Sequence, residues 1–404
     1  MKKTILKSRT TDKSKEKLGS NLIWMMAIAS GAAAANLYYN QPLLAIIAQS
    51  FQTSEHSVGL IPMLTQIGYA IGIFLLVPLG DLVERRRLIL TMLVVTAFAL
   101  GAAAVSPNLT WLVGASLAIG MTTIVAQLIV PFAANLASPQ TRGKVVGMVM
   151  SGLLIGILLA RTVSGFVGAN FGWRSMYWLA SILMILLALA LWKLLPKSQP
   201  TLKVPYLKLM QSLFELIRQP VLQEASLAGA MSFGAFSAFW STLVFLLAQP
   251  PYHYGSEAAG LFGLVGVVGA AAAPLVGKLA DRRSPKLTVA LGLTITTISF
   301  LVFWWQGHQL VGLIFGVILL DLGVQTTMVS NQARIYSLPP EAHSRLNALY
   351  IMFYFLGGAL GSFLGAYGWS RWQWNGVCAV SLLMLAIAFT TFFKRSRPKL
   401  HVSQ

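Results

Sequence analysis

The sequence predicts an all-α membrane protein: twelve transmembrane helices in two six-helix halves. Three observations predict it. Of 404 residues, 56% are apolar and only 10% charged, well under the share of roughly 25% that keeps a soluble domain dissolved. Apolar runs long enough to cross a bilayer recur along the whole chain between short polar breaks. Finally, the basic residues fall on alternate breaks, as cytoplasmic loops require.

The spans are predicted at 22–48, 58–79, 88–105, 109–136, 145–169 and 175–195, then 221–248, 258–280, 287–305, 310–332, 346–367 and 372–393. The organisation that follows is a basic cytoplasmic tail (1–20), a six-helix bundle (21–195), a cytoplasmic linker (196–220), a second six-helix bundle (221–393) and a cytoplasmic tail (394–404). Lysines ahead of the first apolar run resemble a signal peptide. The run is embedded in a longer span with no small-residue cleavage site, so it reads as a retained span.

Charge tests the count. With both termini cytoplasmic, 27 of the 30 Lys and Arg fall on the inner side. Only Arg174 and Arg371 lie outside, at span ends, and Arg161 lies within a span. The formal charge of +19 is therefore a topology signal, and nucleic acid is not an expected partner; the lipid bilayer is. One cysteine, Cys378, cannot form an internal disulfide. In the linker, Tyr206, Leu209, Met210, Leu213, Phe214 and Ile217 recur at helical spacing opposite Lys208, Gln211, Glu215 and Arg218. That pattern predicts an amphipathic helix on the cytoplasmic surface, tethering the halves.

The halves share landmarks. Pro78-Leu79-Gly80-Asp81-Leu82-Val83-Glu84-Arg85-Arg86-Arg87 follows span two, and Gly277-Lys278-Leu279-Ala280-Asp281-Arg282-Arg283 follows span eight, with Asp81 and Asp281 200 residues apart. Gly172-Trp173-Arg174 follows span five and Gly368-Trp369-Ser370-Arg371 follows span eleven, 196 residues on. A six-helix unit used twice fits the parallel repeats of a carrier.

On these residues the chain resembles the major facilitator superfamily. Gly277 to Arg282 closely matches that superfamily's signature loop, and Asp81 with Arg85 and Arg86 is the looser first copy, with Val77 and Glu84 where glycines are usual. Span five, with Gly152, Gly156, Ser164, Gly165 and Gly168, is similar to the antiporter motif of the bacterial drug–proton antiporter branch. It has Ala160-Arg161 near that motif's Gly-Pro position, and Ser116 stands about where the branch has a fourth-span arginine. The resemblance implies spans five and eight, and two and eleven, meeting across the halves. It also implies a central cavity lined by spans one, four, seven and ten.

Physical chemistry gives the candidate residues roles. Asp81 and Asp281 can accept hydrogen bonds from a neighbouring helix N-terminus and from adjacent arginines, a contact able to form in one state and break in another. Arg86 and Arg87 suit snorkelling anchors as well as gating. Gly263, Gly266, Gly357 and Gly361, like Gly152, Gly156 and Gly165, let backbones approach closely, whether for static packing or for rocking. Asp321 is the acid central in a span and Arg161 the deep base; Glu224 and Glu257 read as interfacial. Low dielectric disfavours a charged carboxylate, which suits a proton-coupling site. Arg161 could neutralise Asp321, bind an anion or brace the halves. Asn36, Tyr39, Asn40 and Gln41 in span one, Gln127 in span four, Phe236 and Trp240 in span seven, and Gln325 and Asn331 in span ten are the cavity candidates. Amides, phenols and aromatics suit a partly apolar organic molecule.

No histidine has a second ligand at metal spacing, and no Walker loop occurs. Neither a metal nor another cofactor is expected, and a gradient rather than ATP is the energy source. The reading is a non-enzymatic, monomeric secondary carrier of the bacterial inner membrane, exporting small amphipathic compounds against protons. The alternative is an uptake carrier or facilitator for a small metabolite such as an organic anion or sugar.

Overall fold

The computed structural model describes residues 19–198, 205–280, 285–339 and 342–395; for 270, 272–280 and 391–395 only the backbone is described. Among these residues the chain is all helix and turn, without a strand. Among the described residues nine helices are long and apolar enough to cross a membrane, and the last, His343–Thr390, holds two spans. Its helical dihedrals break at Trp372 and Gln373, the latter at φ 50°. The apolar helices Ser20–Ala35 and Ser256–Ala280 bring the total to twelve.

Two spans of the first half are broken. Span one runs as Ser20–Ala35, a turn through 36–40, a 3₁₀ segment Gln41–Leu43 and a helix Leu44–Ser50. Pro42 supplies no amide hydrogen to continue the ladder. Span four divides into Leu109–Thr122 and Val125–Leu136. There the Thr122 hydroxyl donates back to the Ala118 and Ile119 carbonyls, a competition that bends helices. Their repeat counterparts, Pro220–Ala248 and Leu310–Ile335, are unbroken.

Within the first half, span one packs on span five, two on four and three on six; within the second, seven on eleven and nine on ten. Between halves, span five (Arg142–Phe171) meets span eight (Ser256–Ala280), and span two meets span eleven. Span seven is enclosed over the whole of its apolar window, whereas span five has only 17% of its window buried.

The linker helix, Tyr206–Ile217, buries Leu209, Met210 and Leu213. Phe214 belongs to the predicted apolar face but stays 59% exposed, its ring edge-on to Phe74. The Tyr206 hydroxyl donates to the Leu75 carbonyl of span two, and Arg345 at the start of span eleven donates to Ser212. The linker therefore rests beneath both halves.

The charge pattern makes orientation testable. Cysteines placed at Arg86 or Lys286 should react with an impermeant thiol reagent only from the side that bears the termini. Those at Glu55 or His253 should react only from the other; one-sided labelling of all four would refute the twelve-span topology.

Candidate functional site

The break in span one delivers polar side chains to the centre of the bundle. Gln41 Oε1 accepts from Arg161 Nε at 2.7 Å, and Asn40 Nδ2 donates to Thr65 Oγ1 at 3.2 Å. Asn36 Nδ2 contacts the Met184 sulfur at 3.5 Å. The Tyr39 carbonyl, freed where the helix stops, takes the Ser164 hydroxyl at 2.5 Å.

Arg161 is 2% exposed and stands at the meeting of three spans. Its guanidinium carbon lies 4.1 Å from the Trp240 ring centre, 4.8 Å from Tyr38 and 5.6 Å from Phe236. Such aromatic faces attract a cation, the more so when desolvated. Span five thus reaches span one and, across the halves, span seven. Among the described residues the buried Arg161 Nη2 and Trp240 Nε1 have no hydrogen-bond partner.

Asp321 is buried in the middle of span ten, and its Oδ2 is also without a partner among the described residues. The carboxyl rests on the bare backbone of Gly266 in span eight, where a Cβ would come within 2.8 Å of Oδ2. Among the described residues, neither Asp321 nor Arg161 forms an ion pair within 4.0 Å. Of the three roles open to Arg161, direct neutralisation of Asp321 is absent from this conformation.

The other cavity candidates disperse. Gln127 donates to the Tyr69 hydroxyl at 3.1 Å and lines a separate cavity of about 60 Å³ with Asp81, Arg85, Pro131, Leu213 and Arg345. Gln325 is half-buried. Asn331 lies ten residues beyond Asp321, about 15 Å along the helix, and accepts from Arg334 Nη1 at 3.3 Å. Arg334 in turn pairs with Glu224 at 2.5 Å. Both are buried within the protein, Arg334 on the last turn of the helix Leu310–Ile335, which continues past the predicted span end at 332. A position near a span end hid the pair, which spans seven and ten bring together.

The first-copy loop is tied to its own half. Arg85 Nη2 holds Asp81 Oδ1 at 2.7 Å and its Nε donates to the Gly80 carbonyl. Arg86 donates to the Trp192 carbonyl of span six. In the second copy, Gly277 falls in span eight with only its backbone described, and Asp281 and Arg282 lie outside the described residues.

The glycines sort by partner. Gly152 and Gly156 face span one, and Gly357 and Gly361 face span seven, so these four pack within a half. Gly165 and Gly263 face across the halves, onto Ser256 and Gly260 and onto the Arg161 Cβ. Thr162 donates to the Gly260 carbonyl at 3.0 Å and Ser256 to the Gly165 carbonyl at 3.1 Å.

Spans two and eleven close the same end of the bundle. Gln66 donates to Ser362 at 3.0 Å, the Tyr69 and Phe355 rings stand 4.5 Å apart, and Trp369 Nε1 donates to the Glu55 carboxylate. Sequence reading assigned Glu55 and Gln66 no role, and Trp369 only its place in the repeat. That repeat held the signal: Trp173, its first copy, stacks on Arg174 at 4.1 Å inside its own half, whereas Trp369 crosses to the other. Trp369→Phe keeps the ring and removes the donor. A bond to a carboxylate contributes about 1.5–3 kcal/mol. In a Cys378→Ala background, thiol labelling of a cysteine at Ala366, packed against Gly59, should therefore accelerate about tenfold or more. An unchanged rate would leave the bond without weight in closing this end.

Residues 26–344 and 270–404 match the sequence profile of the Major Facilitator Superfamily. The chain is 42% identical over 388 residues to the uncharacterized transporter YgaY of Escherichia coli O157:H7, covering 95% of this chain and 98% of that one. It is 34% identical over 368 residues to a transporter of Streptomyces coelicolor, SCO4007, covering 91% and 85%. Among solved structures, a bacterial homolog of the human lysosomal transporter Spinster, in an inward-facing and unoccupied conformation, superposes with a TM-score of 0.71 at 14% identity, over 93% of this chain and 94% of that one. At that identity the likeness shows the fold.

Proposed function

Because this chain belongs to the Major Facilitator Superfamily and is a multi-pass membrane transporter, we propose that it is a secondary active carrier that works by alternating access and exports small amphipathic organic compounds in exchange for protons. It acts as a monomer in the bacterial cytoplasmic membrane with both termini cytoplasmic. The observation that carries the reading is the Asp321 carboxyl. It is buried in span ten, has an unpartnered oxygen and is not ion-paired with Arg161. A carboxylate so placed is most readily accommodated with a proton, and taking or losing that proton changes the charge at the centre of the bundle.

Span eight links that charge to the movement. One of its faces rides on span five through Gly260 and Gly263, and the next, at Gly266, supports Asp321. When the halves rock at the five–eight seam, the surroundings of the carboxyl change with them. Closure at the Glu55–Trp369 end is one of the two states such a cycle needs. Asp81 with Arg85, and Asp281 with Arg282, bias the opposite end.

Inverted membrane vesicles test the reading. Amphipathic dyes should accumulate in the lumen when it is acidified and stop accumulating when the gradient is collapsed. Accumulation indifferent to the gradient would refute proton coupling. Driven the other way, the same machine takes up a small organic anion, a reading that the buried Arg161 charge favours. Its mark in the same vesicles is loss of a carboxylate from the lumen.

A further inference from the structure

We infer that Arg161 and Trp240 form a carboxylate-binding subsite, and that the compounds carried are amphipathic organic anions; this rests on the transport reading above and names its substrate class. Three observations converge. The first is a buried charge with no counter-ion in contact among the described residues, Asp321 acting on it only from beyond 4.0 Å. Arg161 is 2% exposed, and its ring neighbours Tyr38, Phe236 and Trp240 bring no formal charge. Gln41 satisfies Nε with a neutral oxygen. Among the described residues no carboxylate lies within 4.0 Å of the guanidinium. A buried cation is costly unless an anion joins it.

The second is the hydrogen-bond inventory. Arg161 Nη2 and Trp240 Nε1 are both buried and, among the described residues, both without partners. Each is a donor only, so what they call for is an acceptor. A carboxylate offers two oxygens with several lone pairs, and guanidinium planes match it better than they match a single carbonyl. A cationic or purely donating ligand would leave both atoms unsatisfied and add like charge.

The third is the wall. In this conformation the two side chains border a narrow crevice with no room for a water molecule, otherwise lined by Gln41, Pro42, Leu243, Val244 and Ala259. Beside it Phe233 stacks on Phe236 at 5.5 Å and on Tyr354 at 4.0 Å. An anionic head at Arg161 and an apolar body along these rings is the chemistry that this lining would suit once the halves part and the crevice widens. The subsite also joins span five of one half to span seven of the other, so a ligand held there touches both moving parts.

Binding by the detergent-purified full-length carrier tests this without any gradient. The probes are 4-phenylbutyrate, 2-naphthoate and octanoate, each matched with its amide and its amine, and the readout is the thermal unfolding midpoint at millimolar ligand. The carboxylates should raise the midpoint, and the amides and amines should not. Trp240→Phe, which keeps the ring, and Arg161→Lys, which keeps the charge, should weaken carboxylate binding on the order of tenfold to a hundredfold, the size of a lost charge-assisted bond. Should Arg161→Lys fail to fold, Trp240→Phe carries the test alone. No shift from any carboxylate, an amine that matches its carboxylate, or full carboxylate binding by Trp240→Phe would overturn the inference. Carboxylate binding without gradient-driven transport would instead overturn the coupling reading and leave the subsite standing.

Discussion

Asp321→Asn is expected to abolish accumulation driven by a pH gradient while leaving substrate exchange intact. Asparagine keeps the size of the side chain and its ability to hydrogen-bond, but it cannot gain or lose a proton. One proton moving down one pH unit supplies about 1.4 kcal/mol, enough for a tenfold concentration ratio. The wild-type carrier in proteoliposomes should approach that ratio for each proton coupled, and the variant should stay near unity. Counterflow, in which labelled compound exchanges with unlabelled, needs no proton and should persist. A variant that folds, exchanges and still concentrates its substrate would move the coupling site elsewhere. Asp321 and Arg161 are not in ion-pair contact, though the two charges act on each other through the buried interior. Persisting counterflow is therefore the control that separates lost coupling from lost folding.

The second large effect is a contrast between two glycines that look alike in the sequence. A Cβ at Gly165 would lie 3.0 Å from Gly260 Cα and closer still to the Ser256 carbonyl, across the seam between halves. A Cβ at Gly361 would lie 2.5 Å from Gly234 Cα, inside the second half. Neither neighbour can give way by a side-chain rotation, since both are backbone. Valine at either place overpacks the contact, at about 1–3 kcal/mol or more. At Gly361 that strain falls on the folded half itself, so Gly361→Val should lower the yield of monodisperse protein and its unfolding midpoint. At Gly165 the halves can relieve it by parting. Gly165→Val should therefore fold, shift the population about tenfold or more away from the state closed at the Glu55–Trp369 end, and slow transport. Gly143→Val, with nothing within 4 Å, is the control for both. Measured together with cysteine accessibility at Ala366, equal behaviour of Gly165→Val and Gly361→Val would refute the distinction between a moving seam and a fixed one.

Much of this architecture was legible because a bilayer punishes unsatisfied backbone and charge, leaving length and loop charge as strong signals. The broken middle of span one was foreshadowed by Asn36, Asn40, Gln41 and Pro42 in an apolar run. Partners were not legible. Gln41 and Arg161 stand 120 residues apart, and nothing local says that the aromatic faces would gather round the guanidinium or that Asp321 would sit apart from it. Glu224 and Arg334 look like span-end residues in one dimension, and they become a buried pair only when two helices end at the same depth. The glycines showed that backbones would meet but not which ones. The linker periodicity found the helix, yet Phe214 meets the bundle only at the edge of Phe74 and stays mostly exposed, because the docking surface is narrower than the apolar stripe.

Span seven has a bearing on how the chain is made. It is enclosed along its whole apolar window, and its mean hydropathy of 1.6 is below the 2.0 of several outer spans. Two of its buried hydroxyls find their partners on other spans: Ser241 meets Ser362 of span eleven, and Ser237 meets Gln66 of span two. Span seven leaves the ribosome before spans eight to twelve exist, while the glycines that seat it, Gly357 and Gly361, come near the end of synthesis. During that interval it faces lipid with serines it is built to hide. Biogenesis therefore has its delicate moment at the start of the second half, when the already folded first half, through the 3₁₀ segment of span one that touches span seven, is the surface on hand to shelter it.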